Sequence, residues 1–546
     1  QGERLEKEGL VSFLIGNVVL TISALLVFFL PDYNKETLSF NKTSCAILLI
    51  TMLFSLIAIL IPRLTIFTSK GKSVHVKACQ IAVVPLCIYS SYKGGDDVLK
   101  TNEKSHMYQS YQTYEEDDSY SEVVNILKDY DPRQDYRMEL TFNRPGNYNQ
   151  VNNNPMFYGY NGVSHFSSSE KQSVMSYMKK LGFHYNGYFE GYDNGSTVSM
   201  NSFLGIQYLI DNSTDIYNNQ PHFFYQLPYR ELNNLYDTDR KEIHYYENTS
   251  ALSLGMVTSS YDSTFISEGR KLSNGKIYWY DHFEYQNELY HALNSSIKED
   301  IFTKMTYELT LDGMELVDYD EETKDCFFSG KKGDRMKLFF TEKEESFPYN
   351  LYFCTKDLNS DFDYYIDNKK VNIATYHHNG IQNIPNNSRK SHTITLICKK
   401  DIEKENVRLE LYKENLNVLT SYTNAIKKKT PDEFKKVSST FAYSYEGSFY
   451  KSNDEDTCFV FTLPYETDFS IYIDGKKQDI VKRFNIFTAC SLKDIQKGKH
   501  TIKIVYQDKG FLLGILLSII GLLYFLFLLL FFKSGKHYQK TLTKDL

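Results

Sequence analysis

Four apolar runs interrupt an otherwise polar chain. Phe511–Phe532, FLLGILLSIIGLLYFLFLLLFF, carries no charge; as a helix rising about 1.5 Å per residue it would extend about 33 Å, enough to cross a hydrocarbon layer of roughly 30 Å. Lys533, Lys536 and Lys540 follow at once, which predicts a cytoplasmic C-terminus. Leu10–Leu30 is a second such run, with only Asn17 strongly polar, closed by Pro31 and Asp32. Cys45–Ile61 is a third, closed by Pro62 and Arg63, and Ala78–Tyr92 a shorter fourth, interrupted by Pro85. The loop with Arg63, Lys70, Lys72 and Lys77 is basic and is expected inside. These signs agree only if the N-terminus is inside and Lys93–Gly510 outside.

That outside portion, roughly 420 residues, is too large for one core. Ser121–Tyr130 reads as a short helix ended by Pro132, followed by a polar stretch, Arg133–Gly162, rich in Asn, Tyr and Gly. Ser169-x-x-Gln172 resembles a capping box ahead of Val174, Tyr177, Met178 and Leu181 at helical spacing, with Gly182 as the stop. Ser202–Ile210 reads as a buried strand or hairpin edge, and His282–Met305 has patchy helical spacing around Leu289, Leu293 and Ile301. From Thr306 apolar and polar residues alternate, the period of strands. Two blocks repeat in step: Asp361-Phe-Asp-Tyr-Tyr-Ile-Asp-Asn-Lys-Lys370 with Asp468-Phe-Ser-Ile-Tyr-Ile-Asp-Gly-Lys-Lys477, and His392-Thr-Ile-Thr-Leu396 with His500-Thr-Ile-Lys-Ile504. They predict two copies of one small sandwich, each with an Asp-Asn or Asp-Gly hairpin turn. Between them Thr430-Pro431 reads as a helix start.

The expected fold is therefore multi-pass α-helical membrane segments plus a large extracytoplasmic α+β region ending in two tandem β-sandwich domains. The expected divisions are three membrane helices in 1–92, a mixed module over 93–305, sandwiches over 306–425 and 426–510, a membrane helix over 511–532 and a cytoplasmic tail over 533–546.

With 546 residues, 24 % charged and 15 % aromatic, the chain has the composition of several folded domains and not of a disordered one. A net charge of −7 gives no support to nucleic-acid binding. Tyr (45) and Phe (37) are abundant and Trp occurs once; AT-rich codons account for that bias better than a sugar-stacking platform does. Gln1 is not a start residue and Gln1–Gly9 is no signal peptide, so the chain is expected to begin inside a longer protein. Cys45, Cys79 and Cys87 sit in apolar runs, while Cys326, Cys354, Cys398, Cys458 and Cys490 fall in the outside portion. Their odd number and the lack of a C-x-x-C argue against a zinc site and leave one or two disulfides open. No metal or other cofactor is indicated.

The second repeat runs Pro464-Tyr465-Glu-Thr-Asp-Phe-Ser-Ile-Tyr-Ile-Asp474-Gly475-Lys476-Lys477, then Gly498-Lys-His500, then the last apolar run. This resembles the C-terminal end of the bacterial YfhO family of membrane proteins, in which a Pro-Tyr-Asp-x-Gly-Trp strand precedes an Asp-Gly-Lys turn. Here Asp468-Phe469 replaces Gly-Trp. Tyr136-Arg137, Tyr158-Gly159, Asn161-Gly162, Phe166-Ser167-Ser168, Leu204-Gly205-Ile206-Gln207-Tyr208 and Leu254-Gly255 follow the family's order, and the resemblance covers most of residues 1–535. It implies a GT-C-type glycosyltransferase of Gram-positive bacteria, moving a sugar from undecaprenyl phosphate to an anionic wall polymer such as teichoic acid on the outer membrane face. The family's catalytic acid is expected in an early outside loop that this chain lacks, so no catalytic residue is carried over. The alternative is a membrane-anchored extracellular glycan-binding or scaffold protein without catalysis. Bilayer, lipid-linked donor and polymer acceptor are the expected partners.

Arg137, Asn143, Asn161 and His165 are the candidate polymer- or substrate-binding residues, because they lie in a polar, Gly-rich stretch between helices, where function concentrates. Arg137 suits a phosphate held by two hydrogen bonds; its alternative is an internal ion pair. Asp361-Phe-Asp363 has the form of a metal and nucleotide-sugar clamp, yet its copy reads Asp468-Phe-Ser470, which favours a structural role. His377 and His378, if on a strand, point to opposite faces. The recurrence of His392 and His500 favours a structural role beside the hairpins. Lys427–Lys429 reads as a solvated run. No hydrolase triad signature, P-loop or dinucleotide-binding glycine pattern occurs.

Overall fold

A computed structural model describes residues 119–542, apart from 134, 141–153, 167–170, 186–188, 192–195, 213–227, 236–242, 260–267, 343–344, 346, 357–360, 372–380, 385–389, 431–433 and 439–441. The chain divides into two units, Gln1–Ser119 and Tyr120–Leu546, and all described residues but Ser119 belong to the second.

Multi-pass helical membrane segments are not what the described residues show. They hold thirty strands in several sheets against seven α-helices, and among them no helix is long and apolar enough to cross a membrane. The last helix runs as backbone over Lys509–Leu542, but its side chains are described only as far as Phe527, short of the roughly 20 consecutive apolar residues a crossing needs. Leu513, Leu517 and Leu523 on it are each more than half exposed. Leu10–Leu30, Cys45–Ile61 and Ala78–Tyr92 lie outside the described residues.

The helix Ser119–Tyr130 places Val123, Val124 and Leu127 against Met138, Leu140, Tyr208, Ile210 and Tyr245. The latter come from a four-stranded sheet in which Arg137–Leu140 runs parallel to Ile206–Asn212, and Ile243–Asn248 and Tyr229–Glu231 continue antiparallel. The helix Gln172–Leu181 stops at Gly182, whose φ of 93° is left-handed, as its sequence predicts. Its start differs: the cap is Lys171, with no side-chain bond, so Ser169 is not the cap. Within Ser202–Ile210, expected as one strand, a short helix Val198–Phe203 gives way to the strand Ile206–Asn212. The helical spacing after His282 resolves into the helix His282–Leu293, with a capping box between Asp281 and Glu284, and the strand Phe302–Lys304.

The repeat is two copies of one sheet. Glu308–Asp312, Arg335–Thr341, Ser391–Cys398, Phe362–Ile366 and Lys369–Val371 neighbour one another in the order in which Phe434–Ser438, Tyr443–Lys451, Gly498–Tyr506, Phe469–Ile473 and Lys476–Gln478 do. Both hairpins turn on two residues of positive φ, Asp367-Asn368 and Asp474-Gly475, the signature of a type I′ turn. Each five-stranded sheet faces a four-stranded one. The first is Phe302–Lys304, Arg408–Asn415, Tyr349–Lys356 and Gln382–Ile384; the second is Ile480–Arg483, Phe487–Ser491, Cys458–Pro464 and Gly255–Thr258. The last strand comes from the region ahead of both repeats. No helix begins at Thr430; one precedes it, Leu416–Lys427, capped by Asn415, and the strand Phe434–Ser438 follows.

Alternation gives the Tyr349–Lys356 and Arg408–Asn415 strands two apolar faces. Leu351, Phe353, Leu409 and Leu411 enter the core of the first sandwich, while Tyr352, Cys354 and Tyr412 enter the large core that includes Phe283, Leu289 and Tyr290 of the His282–Leu293 helix. The sheet is thus a wall shared by two cores.

Candidate functional site

In the strand Arg137–Leu140 all four residues are buried. Met138 and Leu140 pack on the Ser119–Tyr130 helix, so the period of two turns Arg137 and Glu139 to the opposite face. Arg137 donates from Nη1 to the carbonyl of Leu204 and to Thr462 Oγ1 (3.1 Å), and from Nη2 to Thr462 O (2.6 Å). Burial pulls its guanidinium down to about 10. The guanidinium therefore stitches the start of the Ile206–Asn212 strand to the second sandwich, and no described carboxylate closes an ion pair with it.

Glu139 accepts hydrogen bonds from the backbone N–H of Val163, from Ser164 N (3.0 Å) and from Ser164 Oγ (3.0 Å). Burial pushes it up to about 7, against these bonds and the charge of Arg137, which favour the carboxylate. Gly162 is required here: a Cβ would sit 2.5 Å from Pro155 Cγ and 2.9 Å from Glu139 Oε1. Asn161 holds the same turn, its carbonyl accepting from Met138 N (2.9 Å) and its Nδ2 donating to Tyr136 O (3.2 Å). Lys436 Nζ donates to Asn161 Oδ1 (3.4 Å), and burial draws that ammonium below its usual range. A cavity of about 280 Å³ lies alongside, bordered by Arg137, Asn161, Gly162, Ser164 and Tyr445.

The structure thus brings Arg137 and Asn161 to one cavity. Asn143 lies outside the described residues; His165 sits on the short strand His165–Phe166, opposite Glu190, and its side chain is not among those described. Glu139 escaped the sequence reading, although its spacing of two from Arg137 in Arg-Met-Glu-Leu was the available signal.

Elsewhere the candidate motifs are structural. Asp361 and Asp363 pair with Lys400 (3.0 Å) and Lys370 (3.1 Å). His392 Nδ1 bonds Asp367 Oδ2 (2.7 Å) and His500 Nδ1 bonds Asp474 Oδ2 (2.7 Å), one clamp per repeat. Lys427 donates to Thr249 O (2.7 Å), and Lys429 pairs with the buried Asp456 (2.5 Å), so this run is tied down at two points. His377 and His378 lie outside the described residues. The five cysteines of the outside portion are free thiols.

A family model described as "Bacterial membrane protein YfhO" matches residues 3–518. No curated protein matches. Similar solved structures include an anti-sigma factor domain-containing protein (10 % identity, 37 % of this chain and 82 % of that one, TM-score 0.13). Another is an anti-sigma factor domain-containing protein from Clostridium clariflavum (14 % identity, 37 % and 90 %, TM-score 0.14). Likeness at this level carries no argument.

Proposed function

The chain belongs to the YfhO family of bacterial membrane proteins, and from that premise we propose that it is part of a membrane glycosyltransferase. It moves a sugar from undecaprenyl phosphate to an anionic wall polymer, teichoic acid, on the outer face of the bacterial membrane. In this reading the sheets of residues 119–508 stand on that outer face, and the exposed apolar side chains of the last helix meet lipid, since apolar surface of that extent calls for an apolar neighbour.

The observation that supports an acceptor role is the cavity beside Arg137 and Asn161. It has the parts that hydroxyl-rich, phosphate-bearing chains need: an amide at Asn161, a hydroxyl at Ser164, a tyrosine wall at Tyr445 and one cation, Lys436, at its edge. Arg137, engaged with Leu204 and Thr462, sets the shape of the cavity, and its remaining N–H capacity faces the polymer. Asn143 and His165 extend the same surface along the chain. The carboxylate of Glu139 holds the 162–164 turn and is assigned no part in the transfer.

Deletion of the gene, followed by NMR of purified wall polymers, tests the reading. Loss of one sugar substituent, restored by the intact gene and restored less by N161A/K436A, supports it. An unchanged polymer profile would sink it in favour of a glycan-binding or scaffold protein.

A further inference from the structure

Cys354 and Glu410 are directly opposite one another on the antiparallel strands Tyr349–Lys356 and Arg408–Asn415, so their side chains rise from the same face of the sheet. Both are buried to within 1 % of full burial. His282, the first residue of the His282–Leu293 helix, comes down onto that pair. One ligand atom from each of His282, Cys354 and Glu410 lies within 4.8 Å of the other two. We propose that these three side chains form a metal site of the zinc class, pinning the first turn of the helix to the wall shared by the two cores.

The donor set argues for the ion. Calcium and magnesium take oxygen ligands; a thiolate, an imidazole and a carboxylate together suit zinc, with bonds of about 2.0–2.3 Å and tetrahedral edges of roughly 3.3–3.8 Å. The three donors would close in by about 1 Å on binding, and the fourth position is left for a solvent oxygen. Charge also balances: one thiolate and one carboxylate neutralise a divalent ion, which makes it tolerable in a buried place.

The orientation of His282 is the second observation. Its Nδ1 donates to Lys180 O at 3.0 Å, a carbonyl of the last turn of the Gln172–Leu181 helix. With the proton fixed on Nδ1, Nε2 carries the lone pair, the arrangement in which a second-shell carbonyl orients a metal-bound histidine. Arg408, two residues from Glu410, gives its guanidinium to Trp279 O (2.8 Å) and Tyr278 Oη (2.8 Å). The ligands come from three separated segments, which is why cysteine spacing alone argued against zinc.

The test uses the full chain, purified from membranes in detergent without a metal-affinity step. Metal analysis is expected to find about one zinc per chain, and cobalt(II) loading to give a near-ultraviolet thiolate-to-metal band with the visible spectrum of a four-coordinate ion. Cys354→Ser should abolish the thiolate band, and His282→Gln should weaken zinc binding at least about tenfold, with unchanged circular dichroism. Zinc bound equally by wild type and both variants would be adventitious and would overturn the proposal. So would a six-coordinate cobalt spectrum in the wild-type protein, a result that holds even where a variant fails to fold.

Discussion

At residue scale, the buried polar face of the Arg137–Leu140 strand carries two consequences of opposite kind. Glu139 titrates at about 7 in the folded protein against an ordinary 4.5. Between those values the folded state keeps a proton that the unfolded chain has lost, so this group's contribution is full below pH 4.5 and is lost as pH rises through 7. The total is at most about 3 kcal/mol. Thermal unfolding of the wild type should therefore fall more steeply between pH 5 and 8 than that of Glu139→Gln; parallel pH profiles would refute the assignment. Arg137 acts through geometry. Its planar fork reaches both Leu204 O and Thr462 at once, which the point charge of lysine does not reproduce. Arg137→Lys should cost about 1–3 kcal/mol by leaving buried carbonyls unsatisfied, read as a lowered denaturation midpoint with unchanged slope.

At element scale, the two repeats offer a controlled comparison. In both, an Asp of positive φ opens the hairpin and its carboxylate accepts from the backbone N–H of the residue after the histidine, Thr393 (3.0 Å) or Thr501 (2.9 Å). The environments differ. The His392 side chain is fully buried, with Asp367 on one nitrogen and Glu342 on the other at 2.7 Å each, whereas His500 pairs with the half-exposed Asp474 and the carbonyl of Gln496. His392→Ala should cost about 3–5 kcal/mol, because it strands two carboxylates near full burial, and His500→Ala under about 1 kcal/mol. Equal losses in urea melts would show that the clamps are not distinguished by burial. These hairpins were legible in the sequence because alternation and the Asp-Asn and Asp-Gly turns are local signals. The helix boundary near Thr430 was not, because Thr-Pro is a start signal that Leu416, Leu419, Tyr422 and Ile426 make redundant: they already bury a helix capped by Asn415. Nor was Glu139, because a lone carboxylate among polar residues reads as solvated until the strand's other face is known to be packed.

At the scale of the whole molecule, the second sandwich does not end where the repeat begins. Its four-stranded sheet is completed by Gly255–Thr258, with Met256 opposite Val460 and Val257 opposite Phe459. Gly255 admits the Phe459 ring, since a Cβ there would lie 2.6 Å from Phe459 Cζ. Met256 enters the large core and Val257 the core of the sandwich, so this short strand is a seam like the Tyr349–Lys356 sheet. Arg137, bonded to Thr462 four residues along from Cys458, closes the same seam from the other side. A piece holding only residues 430–508 would expose the Cys458–Pro464 edge, an unpaired and mostly apolar strand, and such edges template association. That piece should aggregate, while residues 119–508 should remain monodisperse by light scattering. Gly255→Val in the longer piece should move it toward the behaviour of the shorter one, by forcing the Phe459 ring out of place. A monodisperse, cooperatively melting 430–508 piece would show that the borrowed strand is dispensable, and with it the view that the acceptor cavity depends on the two regions folding as one.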